Sequence, residues 1–190
     1  MELMRYDYKC YETINDICSA NKELFASLLG KRVLGVYCVW DCISNTWFED
    51  GPAIIEFEHG DLTVLIYCLS RIGIVWNLID RNDKPVWFEN ASEIPDWHED
   101  LMWRKRDELY NAAGKVCKIE IADSFGIPLG IVFSLDNGSR FALANGGDIT
   151  QAVSNFEIDD YFLNCLDNKS TVKYIDVLTL QEKVLRMTVF

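Results

Sequence analysis

Residues Gly51 to Ile79 constrain the fold of this chain more than any other stretch. After Gly51-Pro52, the run Ala53-Ile54-Ile55-Glu56-Phe57-Glu58 sends Ile55 and Phe57 to one side and Glu56 and Glu58 to the other. That period of two is the mark of a strand with one wet face. His59-Gly60 supplies a turn, because glycine accepts the positive φ of a tight hairpin without steric cost. Leu62-Thr63-Val64-Leu65-Ile66-Tyr67 is apolar on both sides and belongs in a sheet interior. Ile72 to Ile79 reads as the next strand. Pro52 suits a strand start, where its missing N–H costs little. The stretch is a meander of strands.

The flanking segments supply helices and further strands. From Thr13, apolar residues recur at helical spacing through Leu29, and Gly30 stands where a glycine ends a helix. One or two helices are expected between Glu12 and Leu29, with Ser19-Ala20-Asn21 as the possible break. Lys31 to Trp40 reads as a strand, and Asp41 to Asp50 as a polar loop or hairpin holding Trp47 and Phe48. Asp80 to Pro85 is a charged turn, and Val86 to Pro95 is irregular. Asp96 to Ala113 is expected to be a helix ending at Gly114. Near the C-terminus, Thr171 to Leu180 and Lys183 to Phe190 are strand-like, and Asp159 to Leu163 suits a short helical turn.

A second copy of the first pattern is visible. Glu23-Leu24-Phe25 with Gly30-Lys31-Arg32-Val33 resembles Glu108-Leu109-Tyr110 with Gly114-Lys115-Val116. The hairpin around Gly60 has a counterpart at Asn137-Gly138, a strong hairpin signal. The spacing is far too long for a solenoid array. The expected fold is α+β, mostly antiparallel sheet, built from two related β-rich halves each preceded by a helix. At 190 residues one compact domain, 1–190, is the default, with 12–95 and 96–190 as possible subdomains.

Composition narrows the function classes. Hydrophobic residues make up 49% of the chain, enough for a sizeable core. No apolar run is long enough to cross a bilayer, and the first residues lack the basic and apolar segments of a secretory signal. The seven cysteines are an odd number without a CxxC pair, which points to reduced thiols and a cytoplasmic protein. Cys38-x3-Cys42 has no second pair or nearby histidine to complete a metal site, so neither metal nor cofactor is expected. The net charge of −12 argues against nucleic acid and anionic membranes and permits a basic protein partner. The acidic excess lies in the middle and second half of the chain, whereas the C-terminal tail is basic.

Few residues suggest chemistry. His59 sits at a turn, where exposure is expected. His98, beside Glu99, could serve as an acid or base in a cleft between the halves, although neighbouring helical positions do not face each other. Asn145-Gly146-Gly147-Asp148 lacks the phosphate-loop pattern and reads as a turn. Glu157, Asp159 and Asp160 lack a calcium loop and read as a charged cap. The six tryptophans, Trp40, Trp47, Trp76, Trp87, Trp97 and Trp103, are the unusual feature. They could be core, a ligand cleft or interface anchors. Trp47, with Asp41, Glu49 and Asp50 around it, is the residue expected to be exposed, because its loop is absent from the second copy.

The leading expectation is a non-enzymatic module that sequesters or neutralises a basic protein through an acidic surface with tryptophan anchors. In general character such a chain is similar to the small acidic proteins with which bacteria neutralise toxins, a likeness of composition and not of motif. The alternatives are a small-molecule-binding domain or hydrolase using His98 and Glu99, and a structural or oligomerising domain.

Overall fold

The computed structural model describes residues 2–3, 6–7, 9–48, 51–67, 71–77, 79–85, 100–107, 109, 114–145, 150–155, 157–164 and 171–185. A two-stranded ribbon, β1 (Glu2–Leu3) with β2 (Tyr6–Asp7), precedes the short strand β3 (Cys10–Tyr11). Helix α1 (Ile14–Leu28) follows. Thr13 caps it: its Oγ accepts the Asp16 amide at 3.2 Å and satisfies one of the orphan donors of the first turn. Of the one or two helices expected here there is one, and Ser19-Ala20-Asn21 does not break it. Ser19 Oγ and Asn21 Nδ2 donate to the carbonyls of Asp16 and Ile17 one turn back, so their polar groups are met inside a continuous helix. Gly30, at φ +77°, ends it.

Two meanders make up most of the rest. The first runs β4 (Arg32–Asp41), β6 (Ala53–Phe57), β7 (Gly60–Tyr67) and β8 (Arg71–Trp76), with β5 (Thr46–Trp47) inserted between β4 and β6. The second runs β10 (Gly114–Ser124), β11 (Ile127–Leu135), β12 (Arg140–Asn145) and β13 (Thr150–Ser154). Each then adds a strand to the outer half of its first strand: β9 (Leu101–Lys105) on β4, and β14 (Val172–Asp176) on β10, with β15 (Glu182–Leu185) beyond β14. Every pairing is antiparallel. The meanders join where Arg32 and Val33 of β4 pair with Lys115 and Gly114 of β10. Each first strand also carries a register shift near its start, between Val33 and Gly35 and between Val116 and Lys118.

The fold is thus α+β and mostly antiparallel, with one correction to the sequence reading. Residues 101–105, expected within a helix, form β9. Leu101 and Trp103 face one way and Met102 and Arg104 the other, and pairing with β4 outweighs local helix propensity. Among the described residues the second helix, α2 (Glu157–Asn164), comes after the second meander's strands. Residues 86–99, 108, 110–113 and 146–149 lie outside the described residues, so of the helix expected over 96–113 only residues 101–105 are shown to be strand.

The sheet folds on itself, so that β7 lies against β12 and β13 and β8 against β11. One core results, shared by both meanders. It joins Val36, Ile55, Phe57, Leu62 and Ile74 of the first to Ile121, Ile131, Phe133, Phe141 and Leu143 of the second, with Ile17, Phe25 and Leu28 of α1. Helix α2 covers the other face of β12 and β13, seating Ile158 and Phe162 on Val132, Ala142, Ala144 and Tyr174. No helix among the described residues is long and apolar enough to cross a membrane. Cys18, Cys42 and Cys117 carry no disulfide.

The β10–β11 hairpin holds a buried acid. Asp123 is 4% exposed, and its Oδ1 has no hydrogen-bond partner. Burial raises its pKa above the ordinary 3.8. The Gly126 amide and Lys173 oppose that rise, and Glu182 adds to it. A carboxyl whose folded pKa is raised stabilises the fold while protonated and loses that contribution as pH climbs through the folded value. Asp123→Asn is therefore expected to raise the denaturation midpoint at pH 7, with the gain shrinking as pH falls towards 4. Urea titrations of both proteins across that range check it.

Candidate functional site

Alternation along β4 assigns two faces. Val36 and Cys38 belong to the shared core, and Trp40 continues their row beyond it. Register then collects a patch around Trp40. Trp47 of β5 lies directly opposite it on one side and Met102 of β9 on the other, and Arg104 is opposite Cys38. Cross-strand partners in an antiparallel pair share a face. Arg106 is fixed just beyond β9 by its amide, which donates to the Val36 carbonyl at 2.9 Å.

The patch is built from rings and guanidinium groups. The indoles of Trp40 and Trp47 meet edge to face, with centroids 5.0 Å apart and an angle of 85°. The Arg104 guanidinium carbon lies 4.1 Å from the Trp40 ring centre and 5.8 Å from that of Trp47, and Arg106 stands 4.2 Å over Trp47. These are cation–π distances. Trp40 and Trp47 are half-buried, Met102 is 47% exposed and Arg104 is exposed. Arg104 makes no ion pair among the described residues. Stacking holds its plane while the N–H edges stay open to solvent.

Of the acids expected beside Trp47, only Asp41 is among the described residues, and it is engaged in its own turn. Asp41 is 7% exposed, and its carboxylate accepts the amides of Ile43 and Ser44 and the Ser44 hydroxyl. It shapes the turn into β5 as an aspartate at a turn commonly does. Glu49 and Asp50 lie outside the described residues, as do His98 and Glu99. His59 is exposed in the β6–β7 turn, and Trp87 and Trp97 are undescribed. The four described tryptophans, Trp40, Trp47, Trp76 and Trp103, are all half-buried; Trp47 and Trp76 pack against the shared core and Trp103 against Val39 and Leu101.

On the opposite face of the first meander, Arg81 organises an acidic depression of about 520 Å³. It donates from Nε to Asp61 Oδ2 at 2.8 Å and from Nη2 to Glu56 Oε1 at 2.9 Å, and it stacks 4.6 Å over the Tyr37 ring. Tyr37 donates its hydroxyl to Glu56 at 3.0 Å, and its pKa is raised by burial and by Glu56. Glu58, also lining the depression, pairs with Arg32 at 3.5 Å. Its carboxylates are thus largely engaged within the protein. A second depression, about 410 Å³, is lined by Cys42, Lys84, Asp100 and Trp103 among others. Among the described residues, no group of three histidines, cysteines or acids is placed to hold a metal.

Sequence reasoning passed over Met102, Arg104 and Arg106 because their segment was read as helix. Leu101, Met102 and Trp103 are all apolar, so no clean alternation in the sequence marks this strand. No protein-family model, curated protein or solved structure matches this chain.

Proposed function

We propose that this protein is a non-enzymatic binding module that sequesters a protein partner, with Trp40, Trp47, Met102 and Arg104 as the contact patch. The observation that carries the reading is the pair of half-buried indoles held edge to face under an exposed guanidinium. Tryptophan, methionine and arginine are the residues enriched at the centres of protein interfaces, and tryptophan and arginine dominate their energetics. The edge-to-face and stacked contacts hold these side chains in place before binding, which lowers the entropy lost on association. The net charge of −12 favours a partner of opposite charge, since it speeds encounter at a distance. The arginines set a local exception: the partner groups that meet Trp40 and Trp47 would be apolar or hydrogen-bond acceptors, and its basic groups would lie outside that centre.

Partner retention tests this. Trp47→Ala and Arg104→Ala, each checked for cooperative thermal unfolding, are expected to weaken binding to the partner captured by the wild type by at least about tenfold for the tryptophan. The arginine variant should bind less tightly by a smaller factor.

We also infer that the two meanders descend from one ancestral unit. Support comes from their matched strand order, their register shifts near the start of each first strand, and hairpin glycines at positive φ, Gly60 at +138° and Gly138 at +81°.

A further inference from the structure

Among the described residues, five non-glycine residues adopt positive φ: Asn45, Asn77, Phe125, Asn155 and Leu180. Three are asparagine, whose short polar side chain tolerates the left-handed region. Phe125 is the most exposed large apolar residue among those described. It sits at φ +53° in the two-residue loop between β10 and β11, followed by Gly126 at φ +86°, and is 80% exposed. Two successive positive φ values define the hairpin turn in which Asn-Gly is the favoured pair. A bulky ring there is strained, and it touches too little of its own protein to recover that cost. Ile127, 46% exposed, extends the apolar surface of the tip. Directly behind it, Asp123 Oδ1 and Ser124 Oγ are buried without partners. Three unfavourable features therefore coincide in one turn, and such concentrations belong to functional sites more often than to scaffolds.

The position within the fold gives a second, independent observation. Phe125 lies on the connection from the first to the second strand of its meander. The same connection in the other meander carries β5 and Trp47. Strands β4 and β10 are antiparallel and pair only through their first residues, so these two connections leave the junction in opposite directions. Both equivalent loops end in an incompletely buried ring.

We propose that Phe125 is the anchor of a second contact, inserting into an apolar pocket rimmed by basic side chains on a protein partner. The net charge of −12 favours an occupant with a basic rim over an anionic one. It repels an anionic lipid surface, and it repels a second copy of this chain. A phenylalanine at a hairpin tip presents a large apolar area with few rotatable bonds, so little entropy is lost when it enters a pocket. This contact goes beyond the Trp40–Trp47 patch and does not depend on it.

Photo-crosslinking tests it, with p-benzoylphenylalanine at position 125 in the full chain, expressed in the native cell, and the same residue at His59 as an exposed-hairpin control. The expected result is one polypeptide crosslinked from position 125 and not from His59, joined at apolar residues flanked by lysine or arginine. Unlabelled wild type should compete the crosslink away, and Phe125→Asn should not. Crosslinks to lipid or to another copy of this chain, or no product above the control, would overturn the proposal. Stability gives the second readout. Phe125→Asn is expected to raise the melting temperature by about 2–4 °C, and a lowered one would mean that the ring serves its own fold. A partner lost by Trp47→Ala yet indifferent to Phe125→Asn removes this inference alone, and the reverse pattern removes the Trp40–Trp47 reading alone.

Discussion

Phe133→Ala will cost about 3–5 kcal/mol and will shift a single unfolding transition of the entire chain. Phe133 is fully buried on β11 and lies opposite Phe141 on β12, their rings stacked 5.0 Å apart at 9°. Truncation removes the transfer free energy of the ring and leaves a cavity between strands whose backbone pairing resists collapse. The ring is not private to the second meander. It belongs to the cluster that contains Ile55 and Leu62 of the first and Phe25 of α1. The free energy lost is therefore lost by both halves. Ile55→Ala, on the other meander, should lower the same transition, and far-ultraviolet circular dichroism and tryptophan fluorescence should report it together. The described tryptophans all lie in the first meander or on β9, so a melt in which fluorescence ignored Phe133→Ala would show two independent units.

Arg81→Met is expected to have the second-largest effect, about 2 kcal/mol. Arg81 joins Glu56 and Asp61 and covers Tyr37, and the side chains of the three ionic partners are only 17–26% exposed. Removing one member of a fully buried ionic set costs about 3–5 kcal/mol, because the opposing charge stays behind. Here access to water reduces that figure. The cause can be separated from packing by neutralising the acids in the same background. Glu56→Gln and Asp61→Asn should recover much of the loss, since no uncompensated carboxylate then remains. Urea denaturation of the three proteins gives the comparison. A triple variant as unstable as Arg81→Met alone would assign the effect to the lost stack on Tyr37.

The legible part of the fold was the part written in short-range alternation. Ile55 and Phe57 announced β6, Gly60 its turn, and Gly30 the end of α1. What misled was competition between local and long-range preference. Leu101 to Lys105 follow both periods imperfectly, and only the free edge of β4 decides for strand. That edge comes from residues sixty or more positions earlier, so no window around 101–105 contains it. The candidate site suffered from the same cause. Trp47 is half-buried against the shared core and not exposed as its loop suggests, and its sequence neighbours are a poor guide to its company. Asp41 turned inward to hold the turn, and the ring's described companions, Trp40, Arg104 and Arg106, arrive through strand pairing. Phe125 gave no signal of periodicity. Its significance lies in a backbone angle and an exposure that composition does not record.

The most direct measurement of the central claim is the affinity of the native-cell partner for wild type and for Trp40→Ala and Trp47→Ala, compared at equal concentrations of folded protein. At least about a tenfold loss is expected for each, with cooperative unfolding retained. Undiminished binding by both variants would contradict it.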